Sequence, residues 1–245
     1  MEKKNLREGL LKLLMEKGAK LVGIGTLDGI EAQNESSDAA RALREMRTGI
    51  AVAVPLPAHI VEDLKAAPTL EYYHAYHTLN AKLNDIVSCG ETFLKQCGYQ
   101  AYAQTTDRVS RAIEPETNIS PLPHKTIAAR AGLGWIGKSC LLVTPQYGGA
   151  VRISSLLTDA PLETDKPLTE SQCGECRRCV DSCPAGALAG TLWEAGMERE
   201  RLFDWQLCLP EQLRRMRDAT GIEQDLCGRC FAVCPYTQKY LQSCR

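Results

Sequence analysis

The chemistry in this chain is concentrated in its cysteines. Cys173, Cys176, Cys179 and Cys183, followed by Pro184, spell C-x2-C-x2-C-x3-C-P. In a run of this bacterial ferredoxin type, the first three thiolates hold one iron–sulfur cubane and the fourth ligates a second. A second half is therefore required. It lies 51 residues on, where Cys227, Cys230 and Cys234-Pro235 repeat the positions of Cys176, Cys179 and Cys183-Pro184. This internal duplication has one defect: Gln224 stands where the counterpart of Cys173 belongs, and Cys208 is the nearby unassigned cysteine upstream. The expected ligands are Cys173, Cys176, Cys179 and Cys234 for one 4Fe–4S cluster, and Cys183, Cys208, Cys227 and Cys230 for the other. Closely spaced thiolates on a turn can take neighbouring corners of one cubane, while the distal cysteine leaves on a short helix with its direction fixed by proline. C-x2-C pairs also hold tetrahedral zinc, but three cysteines in tight succession plus a crossed fourth, twice over, suit cubanes better. Cys89, Cys97, Cys140 and Cys244 fall outside the pattern and read as plain thiols.

Twelve cysteines in 245 residues serve either disulfides in a secreted chain or metal in a cytosolic one. Nine of them fall between Cys173 and Cys244, seven at motif spacings, which favours metal. The first residues mix both charge signs, and the longest apolar run, IAVAVPL at residues 50–56, is far too short to span a bilayer. No export signal or membrane segment is expected, and the location that follows is cytoplasmic. A net charge of −1 leaves no global field to draw the protein onto nucleic acid or a membrane. A hydrophobic content of 44% suits a globular core.

The elements that must position these cysteines follow from periodicity. Leu6, Leu10, Leu11, Leu13 and Leu14 recur at helical spacing over residues 2–17, with Gly18 as a stop. Residues 20–26 and 49–56 are short apolar runs with strand character, separated by a charged helical stretch at 39–47. A helix is expected over 70–96, a strand over 99–103, a loop over 107–123 and a helix over 126–131. Strands at 141–144 and 151–157 are joined by a Gly148-Gly149 turn, and a polar linker covers 161–172. The fold class is α+β: a layered α/β domain at 1–164, then a ferredoxin-like double-cluster domain at 165–245.

Between the α/β elements lies Gly132-Leu-Gly134-Trp135-Ile-Gly137-Lys138-Ser139, which satisfies G-x-G-x-x-G and G-x4-G-K-S together. Both phosphate-binding readings need a strand before the glycines and a helix after them. Here a helix precedes and a strand follows, which argues against ATP or NAD. A tight helix-to-strand connection and a backbone approach to a flat cofactor remain as alternatives.

The glycine stretch AGLGWIGK at 131–138, the strand ending in Leu157-Thr-Asp159-Ala-Pro161-Leu and the double-cluster module resemble epoxyqueuosine reductase and, more distantly, corrinoid reductive dehalogenases. The resemblance runs in order over residues 99–245. It implies clusters that feed low-potential electrons to a base-off cobalamin held in the α/β domain, whose reduced cobalt acts on an epoxide in a tRNA nucleoside. Gly132, Gly134, Trp135, Gly137, Lys138 and Ser139 would lie beside the corrin. A small donor such as a ferredoxin or flavodoxin would supply the electrons.

The sequence departs from that family in two respects. The family has an acidic proton donor about a dozen residues before the glycine loop, where this chain carries Asn118. Asn cannot act as an acid, so Asp107, His124 or Tyr73 would have to take that role. Family members also continue into a helical extension that helps hold tRNA, whereas ten residues follow Pro235 here. Arg199, Arg201, Arg214, Arg215 and Arg217 read as solvated helix faces, so a tRNA partner is disfavoured. His74 and His77 lie three apart on a helix with Tyr72, Tyr73 and Tyr76, which read as packing. No D-x-H-x-x-G segment is present for a histidine-on corrinoid. Two functions follow: a cobalamin-dependent oxidoreductase, or an electron-transfer partner that reduces a docked corrinoid or redox protein.

Overall fold

Leu6, Leu10 and Leu14 recur every fourth residue and so line one face of a helix. In the computed structural model, which describes residues 3–32 and 36–245, that face is buried and opens the main core. The helices and strands, in chain order, are α1 (Lys3–Glu16), β1 (Leu21–Thr26), α2 (Asp38–Glu45), β2 (Thr48–Pro55), α3 (Ala58–Asp63), α4 (Leu70–Gln96), β3 (Ala101–Ala103), α5 (Thr106–Ala112), α6 (His124–Arg130), β4 (Trp135–Ile136), β5 (Leu142–Val143) and β6 (Val151–Thr158). The cysteine region adds α7 (Arg178–Asp181), a 3-10 turn at Arg199–Arg201, α8 (Trp205–Thr220), α9 (Arg229–Ala232) and α10 (Pro235–Ser243).

Two compact units result, and they interleave along the chain. The first comprises Met1–Val54, Leu79–Leu133 and Arg152–Leu168; the second comprises Pro55–Thr78, Gly134–Val151 and Thr169–Arg245. A linear cut after residue 164 would assign residues 55–78 and 134–151 to the α/β domain, whereas they pack with the cysteine region. Long-range hydrogen bonds decide this: Tyr240 Oη donates to the Leu56 carbonyl at 2.8 Å, and Gly149 N donates to Thr237 Oγ1 at 3.0 Å.

The α/β unit is built on a four-stranded sheet in the order β1-β2-β6-β3, with β1 antiparallel to β2 and β3 antiparallel to β6. Ile50, Val52 and Val54 alternate along β2 and meet Leu6, Leu10 and Leu14 of α1 and Leu83, Ile86, Val87 and Leu94 of α4 on one face. Gly23 and Gly25 alternate with Ile24 and therefore face the other side. There the end of α6 lies against the β1 backbone. A Cβ at Gly23 would stand 2.2 Å from the Ala131 carbonyl oxygen, and one at Gly25 would stand 2.5 Å from the Arg130 carbonyl group. These two glycines permit a helix-to-strand approach that any side chain would block.

Two local expectations change. The segment read as a loop over 107–123 contains α5, supported by an i,i+4 pair of Asp107 and Arg111 at 2.7 Å. The strand at 141–144 pairs not with 151–157 but with β4, in the register Trp135↔Val143 and Ile136↔Leu142. The reason is competition: β6 is already held between β2 and β3.

Replacing Gly23 by Ala tests the close approach. Gly-to-Ala changes at relaxed positions stabilise by restricting the unfolded chain. Here the clash should reverse the sign, costing about 1–3 kcal/mol and lowering the urea midpoint followed by far-ultraviolet circular dichroism. An unchanged or raised midpoint would show that α6 does not press on β1.

Candidate cluster and polar sites

The cysteine unit displays the duplication in three dimensions. α7 and α9 are four residues each and repeat at the same 51-residue offset as the cysteines, with Cys179 and Cys230 as their second residues. Each helix is followed by a Cys-Pro pair, Cys183-Pro184 and Cys234-Pro235. Pro235 occupies the first turn of α10, where its missing N–H has no intrahelical partner to lose. On the other side, Cys176 N donates to the Cys173 carbonyl at 3.1 Å and closes the C-x2-C turn.

None of the twelve cysteines forms a disulfide. Burial pushes the Cys179 thiol up to about 11, and the charges that add to this come from Cys173, Cys234 and Cys176. Cys234 is raised by burial against the opposing N–H groups of Thr237 and Tyr236, with Cys173 and Cys176 again adding. Burial likewise pushes Cys208 up to about 11; Gln212 opposes the rise, and Cys183, Cys227 and Cys140 add to it. Cys230 is raised well above the usual thiol range by burial, with Cys227 and Cys208 ahead of Cys179 and Cys183. These neighbours overlap the two expected quartets, Cys173, Cys176, Cys179 and Cys234, and Cys183, Cys208, Cys227 and Cys230, with Cys179 ranking ahead of Cys183 beside Cys230. Among the described residues no three His, Cys, Asp or Glu side chains converge on one metal-ion position. The donor chemistry suits an iron–sulfur cluster: buried thiols whose anions are costly until a cation compensates them.

Cys208, the expected replacement ligand, is carried by α8. Asp204 caps that helix by accepting from Gln206 N and Leu207 N, and Gly221 ends it in the left-handed conformation at φ 77°. Cys140 also enters this environment: it is buried, has φ 59° and sits in the turn between β4 and β5. Its electrostatic influence on Cys208, 68 residues away in sequence, was not legible in the spacing.

The residues expected beside a corrin are divided. Gly132 belongs to the α/β unit, whereas Gly134, Trp135, Gly137, Lys138 and Ser139 belong to the cysteine unit. Their environment is the protein itself. A Cβ at Gly132 would lie 2.7 Å from the Lys166 carbonyl oxygen, and one at Gly134 would lie 2.2 Å from the Val143 carbonyl oxygen. One at Gly137 would lie 2.7 Å from Val143 Cγ2 and 3.5 Å from Cys173 Sγ. Trp135 is fully buried edge-on to Tyr236, with ring centroids 4.9 Å apart and its indole N–H unpartnered. Lys138, only 6% exposed, donates to the Gly174 carbonyl at 2.7 Å. The side-chain directions of these glycines are therefore filled by chain packing rather than left bare for a macrocycle.

The three candidate proton donors have separate surroundings. Asp107 is exposed; the Thr105 hydroxyl, then the Arg108 N–H and the Arg111 charge favour its anion and hold its pKa below the usual carboxylate range, so it is not a stored acid. Tyr73 meets His77 and His74 edge-on, at 4.5 Å and 5.4 Å between ring centroids. His124 is the one in a buried polar chain. Gln104 Nε2 donates to Ser155 Oγ at 2.8 Å, and Ser155 Oγ lies 2.8 Å from His124 Nδ1. A hydroxyl has one proton, and with Ser155 accepting from Gln104 that proton can be donated to His124 Nδ1, an arrangement that would leave the imidazole proton on Nε2. Desolvation, helped by the Arg152 guanidinium, pushes His124 down to about 4. The ring is thus uncharged at neutral pH and gains a second proton only as pH falls towards 4. Asn118, at the acidic position, is an exposed turn residue with φ 52°, a left-handed conformation that Asn tolerates well.

Comparison with known proteins agrees with this architecture. Residues 172–237 match the 4Fe-4S double cluster binding domain family. An epoxyqueuosine reductase from Bacillus cereus is 37% identical over 115 residues, covering 46% of this chain and 29% of the relative. One from Lactococcus garvieae is 33% identical over 172 residues, covering 69% of this chain and 42% of the relative. The match thus spans well under half the length of these curated relatives. Among solved structures, epoxyqueuosine reductase with an epoxyqueuosine-modified tRNA stem loop superimposes with a TM-score of 0.65 at 22% identity, over 97% of this chain and 66% of that one. A reductive dehalogenase whose structure suggests a mechanism for B12-dependent dehalogenation gives 0.69 at 18% identity, over 93% of this chain and 31% of that one. The chain therefore contains a double 4Fe–4S module and shares the fold of these two reductases.

Two outcomes are expected. Cys208→Ala should lose or convert one cluster while Cys244→Ala keeps both; equal electron paramagnetic resonance spectra for the two variants would contradict the quartets. In nitrogen-15 correlation spectra near pH 7, His124 should carry a pyridine-type Nδ1 and a protonated Nε2, and Ser155→Ala should release that preference. A protonated Nδ1 in the unaltered protein would contradict the hydrogen-bond chain.

Proposed function

We propose that this protein is an iron–sulfur oxidoreductase in which two 4Fe–4S clusters take single electrons from a small donor, such as a ferredoxin or flavodoxin, and pass them to an acceptor. The observation that carries this reading is the repeat of α7 and α9, with their cysteines and Cys-Pro pairs, at a 51-residue offset inside the stretch that matches the 4Fe-4S double cluster binding domain family. Sharing ligands between the two halves brings two one-electron centres into one folded unit, which suits transfer. The ligands in this reading are Cys173, Cys176, Cys179 and Cys234, and Cys183, Cys208, Cys227 and Cys230.

The likeness to epoxyqueuosine reductase supports a finer reading, in which the acceptor is a base-off cobalamin that reduces a substrate. The residues expected to face it do not provide the open cradle that reading needs. The glycine side-chain directions are filled, and Lys138 is engaged with Gly174. No step is therefore routed through a corrin on this loop. The same packed loop favours the second reading, an electron-transfer partner that reduces a docked corrinoid or redox protein. In either case the α/β unit offers His124 as a neutral Nε2–H donor rather than a cationic acid, and Asp107 as a carboxylate.

tRNA is disfavoured as a partner by charge pairing. Arg214 bridges Glu211 and Asp218, Arg217 faces Glu223 at 3.5 Å, and Arg199 pairs with Glu200. Arg215 donates to the Ala66 carbonyl at 2.7 Å. The carboxylate-paired cations among these present little net charge to phosphates. No helix among the described residues is long and apolar enough to cross a membrane.

Anaerobic purification followed by metal analysis and cobalamin titration tests the proposal. About eight irons and eight acid-labile sulfides per chain are expected, the total of two cubanes; about two zincs without sulfide would overturn it. A shift of added cobalamin to its base-off spectrum supports the substrate-reducing enzyme. Absence of any shift or retention assigns the protein to the electron-transfer class.

A further inference from the structure

The glycine loop and α9 each aim a cation at the backbone of a different cysteine quartet. Lys138 Nζ donates to the carbonyl of Gly174, the residue after Cys173, from a site only 6% exposed. Its neighbour Gly137 is close enough that a Cβ there would meet Cys173 Sγ at 3.5 Å, and Trp135 packs on Tyr236, two residues after Cys234. The loop thus touches the surroundings of both ends of the Cys173, Cys176, Cys179 and Cys234 quartet. Arg229 lies beside Cys230 in sequence, and its Nε donates at 3.1 Å to the carbonyl of Ser182, the residue before Cys183. A second guanidinium nitrogen donates to the Lys65 carbonyl and fixes the group in place.

The duplication does not account for both cations. The counterpart of Arg229 at the 51-residue offset is Arg178, which is exposed. The first quartet therefore lacks the inward arginine of the second, and the loop supplies Lys138 in its stead.

We propose that Lys138 and Arg229 are paired positioning residues, each setting the reduction potential of one cluster: Lys138 that of the quartet containing Cys173, Arg229 that of the quartet containing Cys183. Reduction adds one electron, and so one negative charge, to a cluster already made negative by its thiolates. A fixed cation nearby stabilises the reduced form more than the oxidised form. In a part-buried site this attraction is weakly screened. The G-x4-G-K-S pattern of the loop thereby has a role unrelated to phosphate: the glycines bring the chain close to Cys173, and the lysine supplies the charge. The proposal rests on the two-cluster reading, and the iron and sulfide count of the unaltered protein decides that reading separately.

The test is an anaerobic titration with dithionite and redox mediators, followed by electron paramagnetic resonance, on the full chain and its variants. Lys138→Gln keeps a donor and removes the charge. It should lower one midpoint so that reduction of that cluster falls at least tenfold, about 59 mV for one electron, and leave the other within twofold. Arg229→Gln should do the reverse, lowering the midpoint that Lys138→Gln leaves in place. Lys138→Arg and Arg229→Lys, which keep the charge, should hold both midpoints within about threefold of the unaltered protein. Both Gln variants moving the same midpoint, moving both equally, or moving neither would overturn the proposal. Loss of iron from either Gln variant would also overturn it, because it would assign the cation to assembly rather than to tuning.

Discussion

The cysteine unit depends on the cost of burying thiolates. Cys179, Cys208, Cys230 and Cys234 are all pushed above the ordinary thiol range, with burial as the first cause, and none has a disulfide partner. Without a cation their anions are unfavourable, so ligation and folding of this unit are coupled: iron binding releases protons and compensates the desolvation together. The short helices α7 and α9 and the Cys-Pro pairs that follow them position Cys179, Cys183, Cys230 and Cys234 in two repeated turns. The polar backbone beside them is tied by Lys138 and Arg229.

The glycine stretch shows how a matching pattern can be correct in sequence and different in cause. Its glycines are required by close packing, with the Val143 carbonyl and the Lys166 carbonyl standing where side chains would be. Gly23 and Gly25 do the same for α6 against β1. In both places glycine marks a point where one piece of backbone approaches another. The α/β unit adds the Gln104, Ser155 and His124 chain, in which burial holds the imidazole neutral and Ser155 engages its Nδ1.

Much of this was legible in the sequence, because local rules governed it. Leucines every fourth residue located α1, alternating apolar runs located β1 and β2, and the offset repeat of Cys227, Cys230 and Cys234 located the cluster module. What escaped depends on contacts far apart in the chain. Residues 55–78 and 134–151 join the cysteine unit through partners near residue 240, which no local pattern encodes. The β4–β5 pairing follows from β6 being already committed between two strands. The polar chain of His124 needs a serine 31 residues away, and Lys138 needs a carbonyl 36 residues away. Each is visible only once the chain is folded.

The crossing of ligands between the two halves is the central claim, and iron-edge anomalous diffraction from crystals of anaerobically prepared protein tests it most directly. Two four-iron density peaks are expected, one enclosed by Cys173, Cys176, Cys179 and Cys234 and the other by Cys183, Cys208, Cys227 and Cys230. Single-ion peaks, or a cluster whose four ligands include both Cys179 and Cys183, would contradict it.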